Sequence, residues 1–135
     1  MINYIKKHGR ITGSMVFGGY VREKSDIDYL VLSNDIVNHD TLIKNGFVRG
    51  CDVYDDYTFQ SYVKDDMNVL LFHKEIDFNI HVLAVSLMIY ILENSSKESQ
   101  NVIADHKVAR IKMYRYTLNL LYHFNTIKDK YCINF

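Results

Sequence analysis

The chain has 135 residues, enough for one domain that buries roughly two thirds of its unfolded surface around a single core. Apolar residues at 48% and charged residues at 24% exclude a disordered chain, and the longest apolar run, Val82 to Leu92 with Ser86 inside it, is short for a bilayer. Sixteen basic residues offset sixteen acidic ones, which disfavours tight nonspecific binding of DNA or RNA.

The N-terminus, Met1 to His8, has no apolar h-region, so the expected location is cytoplasmic and Cys51 and Cys132 are expected to stay thiols. Ile2, Tyr4 and Ile5 predict a short helix closed at Gly9. Arg10 to Thr12 then lead into Gly13-Ser14. Met15, Val16, Phe17 and Tyr20 predict one or two helical turns after Ser14, with Gly18-Gly19 limiting their length. Lys24-Ser25 turns the chain into a strand at about Asp26 to Ser33. Asp40 is the expected N-cap of a short helix, Thr41 to Asn45, ended by Gly46.

From Phe47 the pattern has period two. Val48, Cys51 and Val53 predict one strand, Tyr57 to Lys64 a second and Met67 to His73 a third, with Asp55-Asp56 and Asp65-Asp66 at the turns of a meander. After Lys74 the period becomes 3.6. A helix is predicted from about Glu75 to Leu92, with Ile76, Ile80, Leu83, Ala84, Leu87, Met88 and Ile91 as its buried face. A last helical region covers about Glu98 to Ile127, interrupted near Ala104 to His106, with Ile111, Tyr114, Leu118 and Leu121 as its stripe. The layout is a single α+β domain: a small mixed β-sheet with a Gly-Ser helix element and C-terminal helices packed on it.

Asp26 and Asp28 are two apart on a strand, so their carboxylates project from one face. Like charges that close call for a cation, and magnesium suits the site because it takes one or two carboxylates and completes its octahedron with water and phosphate oxygens. Gly13 permits close backbone approach, and the Ser14 hydroxyl with the N–H groups of a helix start can hold phosphate. An Asp-x-Asp alone is most often a solvated turn, and Gly-Ser alone means little. Together, with eleven residues between Ser14 and Asp26 and an apolar strand following, they are far more specific.

This pattern resembles the DNA polymerase β-like nucleotidyltransferase superfamily, whose signature is Gly-Ser or Gly-Gly, a spacer of this length, and Asp-hydrophobic-Asp-hydrophobic. Gly13, Ser14, Asp26 and Asp28 match it, with Ser25 fitting the frequent Ser-Asp variant. Asp40 to Phe47, Phe59 to Tyr62, Met67 to Leu71 and the helices after them look like small nucleotidyltransferase-fold proteins encoded by bacteriophages. The resemblance implies binding of a nucleoside triphosphate with Mg2+, Gly13 and Ser14 holding phosphates, and Asp26 and Asp28 serving as catalytic metal ligands. Lys24 and Arg22 are expected phosphate contacts.

The superfamily also implies a third acidic residue on a neighbouring strand, which decides between enzyme and binder. On the strand Met67 to Leu71 that position holds Asn68, which cannot carry negative charge or act as a base. Asp66 shares the parity of Asn68 and is a candidate from the strand end. Asp77 is the other candidate, although the helical spacing of Ile76, Ile80 and Leu83 puts it in a first helical turn, where an acid favours the dipole. His73, His81, His106 and His123 read as surface or half-buried residues. Lys107, Arg110, Lys112 and Arg115 read as a solvated basic face, with part of it a candidate phosphate or base pocket.

The expected function is therefore transfer of a nucleoside monophosphate to a hydroxyl on a protein, small RNA or small-molecule acceptor. One alternative is a catalytically degenerate member serving as a protein-interaction module, for example a phage protein that binds a host factor. Another is an AMP-transferring antitoxin, a class whose full acidic triad Asn68 does not match. No membrane partner is expected.

Overall fold

The fold was obtained as a computed structural model, which describes residues 1–12, 27–50 and 58–131. Along the chain these form α1 (Ile2–His8), β1 (Arg10–Thr12), β2 (Ile27–Leu32), α2 (His39–Lys44), β3 (Val48–Arg49), β4 (Phe59–Lys64), β5 (Met67–Phe72), α3 (Glu75–Glu93), α4 (Lys97–Asp105) and α5 (Lys107–Lys130). The strands make one mixed sheet in the order β1-β2-β5-β4-β3. Only the central β2–β5 pairing among them is parallel. The architecture is α+β, and β3, β4 and β5 run as a meander; of the residues expected to mark its first strand only Val48 is described, in β3, while Cys51, Val53 and the turn at Asp55-Asp56 lie outside the described residues. Arg10 to Thr12, expected only as a lead-in, is an edge strand antiparallel to β2, with Thr12 opposite Asp28.

Strand alternation divides the core in two. On one face Leu30, Leu70, Phe72 and Phe59 pack beneath α3 and α5, against Ile80, Ala84, Met88, Leu92, Tyr114 and Leu118. On the other, Tyr29, Val31, Val69, Leu71 and Tyr62 pack against Ile5 of α1, Leu42 of α2 and the connecting residues Val37 and Phe47. The N-terminal helices thus cover a face that the sequence reading left to the C-terminal helices alone. This explains why β5, with burial at every position except Asn68, reads as a continuous apolar run.

Local chemistry sets the element ends. The N-cap of α2 is Asn38, not Asp40: its side chain accepts from Thr41 N at 3.1 Å, and Thr41 Oγ1 in turn accepts from Asn38 N at 3.0 Å. Asp40 falls within the first turn, where its charge suits the helix dipole. Gly46, with φ +86°, carries the chain out of the helix through the left-handed region. Helices α4 and α5 are separated at His106, whose backbone is extended, at the interruption predicted near Ala104 to His106.

Helix α3 runs as predicted, but its buried face matches the prediction only at Ile80, Ala84 and Met88. Ile80, His81, Ala84, Val85, Met88 and Leu92 point inward, while Ile76, Leu83, Leu87 and Ile91 are exposed. The helix is apolar around most of its circumference, so periodicity could not choose which side meets the sheet. By length and composition it could also cross a bilayer, yet here it lies on the sheet.

Two further expectations change. His81 is fully buried rather than at the surface or half-buried, its Nδ1 2.7 Å from the Tyr114 hydroxyl and its Nε2 3.1 Å from Thr58 Oγ1. Arg110 is buried with Tyr114, Thr117 and Leu118, whereas Lys112 and Arg115 are exposed. The basic stretch is therefore not one solvated face.

Candidate functional site

Parallel pairing of β2 with β5 places Asp28 directly opposite Asn68. Facing residues on neighbouring strands share a face, and here their side chains meet: Asn68 Nδ2 donates to Asp28 Oδ1 at 2.9 Å. The Asn68 carbonyl oxygen accepts from Ser61 Oγ at 2.5 Å. Ser61 lies on β4, one diagonal step from Asn68, and is only 1% exposed. Asp28 and Asn68 are half-buried.

The polarity of this chain follows from charge. An ionised carboxylate only accepts hydrogen bonds, so Asn68 must turn its NH2 toward Asp28. Its carbonyl then points at Ser61, and the Ser61 hydroxyl must donate. A buried serine on an otherwise apolar strand thereby fixes which end of Asn68 the carboxylate meets. Gly50 makes room for it. A Cβ at Gly50 would come within 2.8 Å of Ser61 Oγ and of Val63 Cγ2, so any side chain there would displace the serine.

The third-carboxylate candidates separate cleanly. Asn68 occupies the place beside Asp28. Asp66 is exposed in the β4–β5 turn, and its carbonyl oxygen accepts from Ile27 N at 2.8 Å, which helps to bring β2 onto β5. Asp77 is in the first turn of α3, as its helical spacing indicated, and accepts from the Tyr122 hydroxyl at 2.7 Å. That bond ties α3 to α5 and gives Asp77 a structural task. Gly13, Ser14, Arg22, Lys24 and Asp26 lie outside the described residues.

Among the described residues no group of three or more His, Cys, Asp or Glu side chains could hold a metal ion. Asp28 can supply one carboxylate, and the carbonyl of Asn68 is turned to Ser61. Such a donor set fits a magnesium ion held through one or two carboxylates and completed by water and phosphate oxygens. It does not furnish the three-carboxylate cage of a two-metal centre.

Ser61 and Gly50 were not singled out in the sequence, although a signal existed. Ser61 has the parity of Phe59 on β4, and a small polar residue on the core side of an apolar strand needs a buried partner. Comparison of the chain with protein families, with curated proteins and with solved structures finds no match.

Proposed function

We propose that the chain is a nucleotidyltransferase-fold protein that binds a nucleoside triphosphate with a single magnesium ion and transfers a nucleoside monophosphate slowly or not at all. The observation that carries this reading is the 2.9 Å bond from Asn68 to Asp28. A neutral donor stands beside the signature aspartate, where the resembled superfamily has its third acid. The pairing of β5 with β2, which sets Asn68 on the strand beside Asp28, supports the assignment.

In this reading Gly13, Ser14 and Lys24 hold phosphates, and Asp26 and Asp28 hold the cation. Magnesium supplies charge neutralisation of the triphosphate when bound. Asn68 orients Asp28 and offsets part of its charge, and Ser61 keeps Asn68 in that orientation. Asn68 is neutral and cannot take a proton from an attacking hydroxyl. Two-metal activation of an acceptor is the step that the arrangement lacks. The setting expected for this binding is the cytoplasm.

A second reading, a protein-interaction module that no longer uses nucleotide, is favoured by the same neutral residue. Calorimetry with ATP and GTP, with and without magnesium, separates the two. Magnesium-dependent binding that is lost in an Asp26→Ala, Asp28→Ala double variant supports the nucleotide reading. Wild-type protein that binds neither nucleotide removes it and leaves the interaction module. Strong transfer of labelled nucleotide to a protein or small RNA acceptor would overturn the claim of slow chemistry.

A further inference from the structure

A second concavity lies at the other end of the sheet. Asp28 and Asn68 are near the starts of β2 and β5, whereas this cleft of about 290 Å3 opens where β5 ends, between α2 and the β3–β4 edge. His73 lines it five residues beyond Asn68 along β5, a separation of about 16 Å at strand rise. The two sites are distinct.

Three cation-capable side chains line the cleft from three different elements: His39 at the start of α2, Arg49 on β3 and His73 after β5. Tyr62 and Gln60, two apart on one face of β4, also line it, with Phe59 and Thr58 completing the wall. None of these lining residues is an aspartate or glutamate. Arg49 is opposite Tyr62 in the strand register and so shares its face. It makes no hydrogen bond or ion pair among the described residues, nor does His73.

His39 is held in place. Its Nδ1 lies 2.6 Å from the hydroxyl of Tyr62, which is itself 1% exposed, and the two rings meet edge to face at 5.7 Å. A buried phenol thus fixes one ring nitrogen and leaves Nε2 without a partner among the described residues. A guanidinium fork with no partner among the described residues, two imidazoles and a side-chain amide form a donor set suited to a tetrahedral oxyanion.

We propose that this cleft is a binding site for a small phosphomonoester, with Arg49 gripping the phosphoryl group and His39, His73 and Gln60 completing its hydrogen bonds. The volume decides between a bare ion and an ester. At roughly 30 Å3 per water the cleft of about 290 Å3 holds the space of several waters, more than one phosphoryl group fills, which leaves room for the remainder of an ester.

The test uses the full chain in phosphate-free buffer at constant pH. Inorganic phosphate, ribose 5-phosphate and uncharged ribose are titrated separately while the imidazole resonances of His39 and His73 are followed by NMR. Ribose 5-phosphate is expected to shift both rings in a saturable way, more tightly than inorganic phosphate, and ribose to shift neither. Arg49→Ala should weaken the phosphoester at least about tenfold, the scale of one lost charge-assisted contact, while Arg49→Lys retains part of it. Arg49 is exposed, so these variants should melt like wild type.

Equal affinity for phosphate and ribose 5-phosphate would keep the oxyanion chemistry and assign the free ion as its source. Absence of shifts at both histidines up to about 20 mM ligand, well above the millimolar range expected of a weak site, overturns the proposal. So does an Arg49→Ala variant that titrates like wild type. Asp28→Ala should leave these shifts unchanged, so failure at this cleft and failure of the nucleotide reading are told apart.

Discussion

The chain Ser61 to Asn68 to Asp28 concentrates three buried or half-buried polar groups in consecutive hydrogen bonds, so single-atom changes there have defined outcomes. Ser61→Ala leaves the Asn68 carbonyl without its donor, at a cost of about 1–3 kcal/mol in unfolding free energy measured by urea titration. Asn68→Asp is more informative. It replaces the donor facing Asp28 by a second carboxylate, so thermal melts in EDTA should show a lower midpoint than wild type. Excess magnesium should restore it, because the cation then has two acids to bridge. A variant whose midpoint ignores magnesium would show that the Asp28 region does not hold the ion. Gly50→Ala should act on the same chain from behind, since the added methyl meets Ser61 Oγ and Val63 at 2.8 Å; overpacking of this kind costs about 1–3 kcal/mol.

At the scale of elements, caps and buried faces carry the energetics. Asn38→Ala removes the acceptor for Thr41 N and should destabilise the protein by about 1 kcal/mol in the same urea assay. On α3 the structure separates two groups of apolar residues that look alike in sequence. Met88→Ala, at 3% exposure, should cost about 2–5 kcal/mol. Leu83→Gln, at 50% exposure, should stay within about 0.5 kcal/mol of wild type. Reversal of that order would mean that the face of α3 turned from the sheet is covered in solution.

These elements also show what could be read from the residues alone. Strands β2, β4 and β5 and helix α3 were legible because their apolar patterns run over six or more residues. The three-residue β1 was not, since so short a strand has no period to detect and exists through its pairing with β2. The side of α3 that meets the sheet was hidden for the opposite reason, apolar residues nearly all round. At the candidate site Asn68 was legible as the polar position of an otherwise apolar β5, the strand expected beside Asp28. Its partner Ser61 was not, because the diagonal contact between them depends on the β4–β5 register rather than on any local pattern.

For the whole molecule, the single parallel pairing has a kinetic consequence. The β4–β5 hairpin closes through the two residues Asp65 and Asp66, with Asp65 at φ +52°, so its contacts are local and quick to form. The Asp28–Asn68 bond joins positions 40 residues apart, and β2 reaches β5 only after that intervening chain has closed on itself. Pulse-labelled hydrogen exchange during refolding should therefore find β4 and β5 amides protected before those of β2. The chain would pass through an intermediate ensemble that has its hairpin but not the Asp28–Asn68 contact, and recovery of the proposed nucleotide binding would report the last docking step rather than the onset of structure.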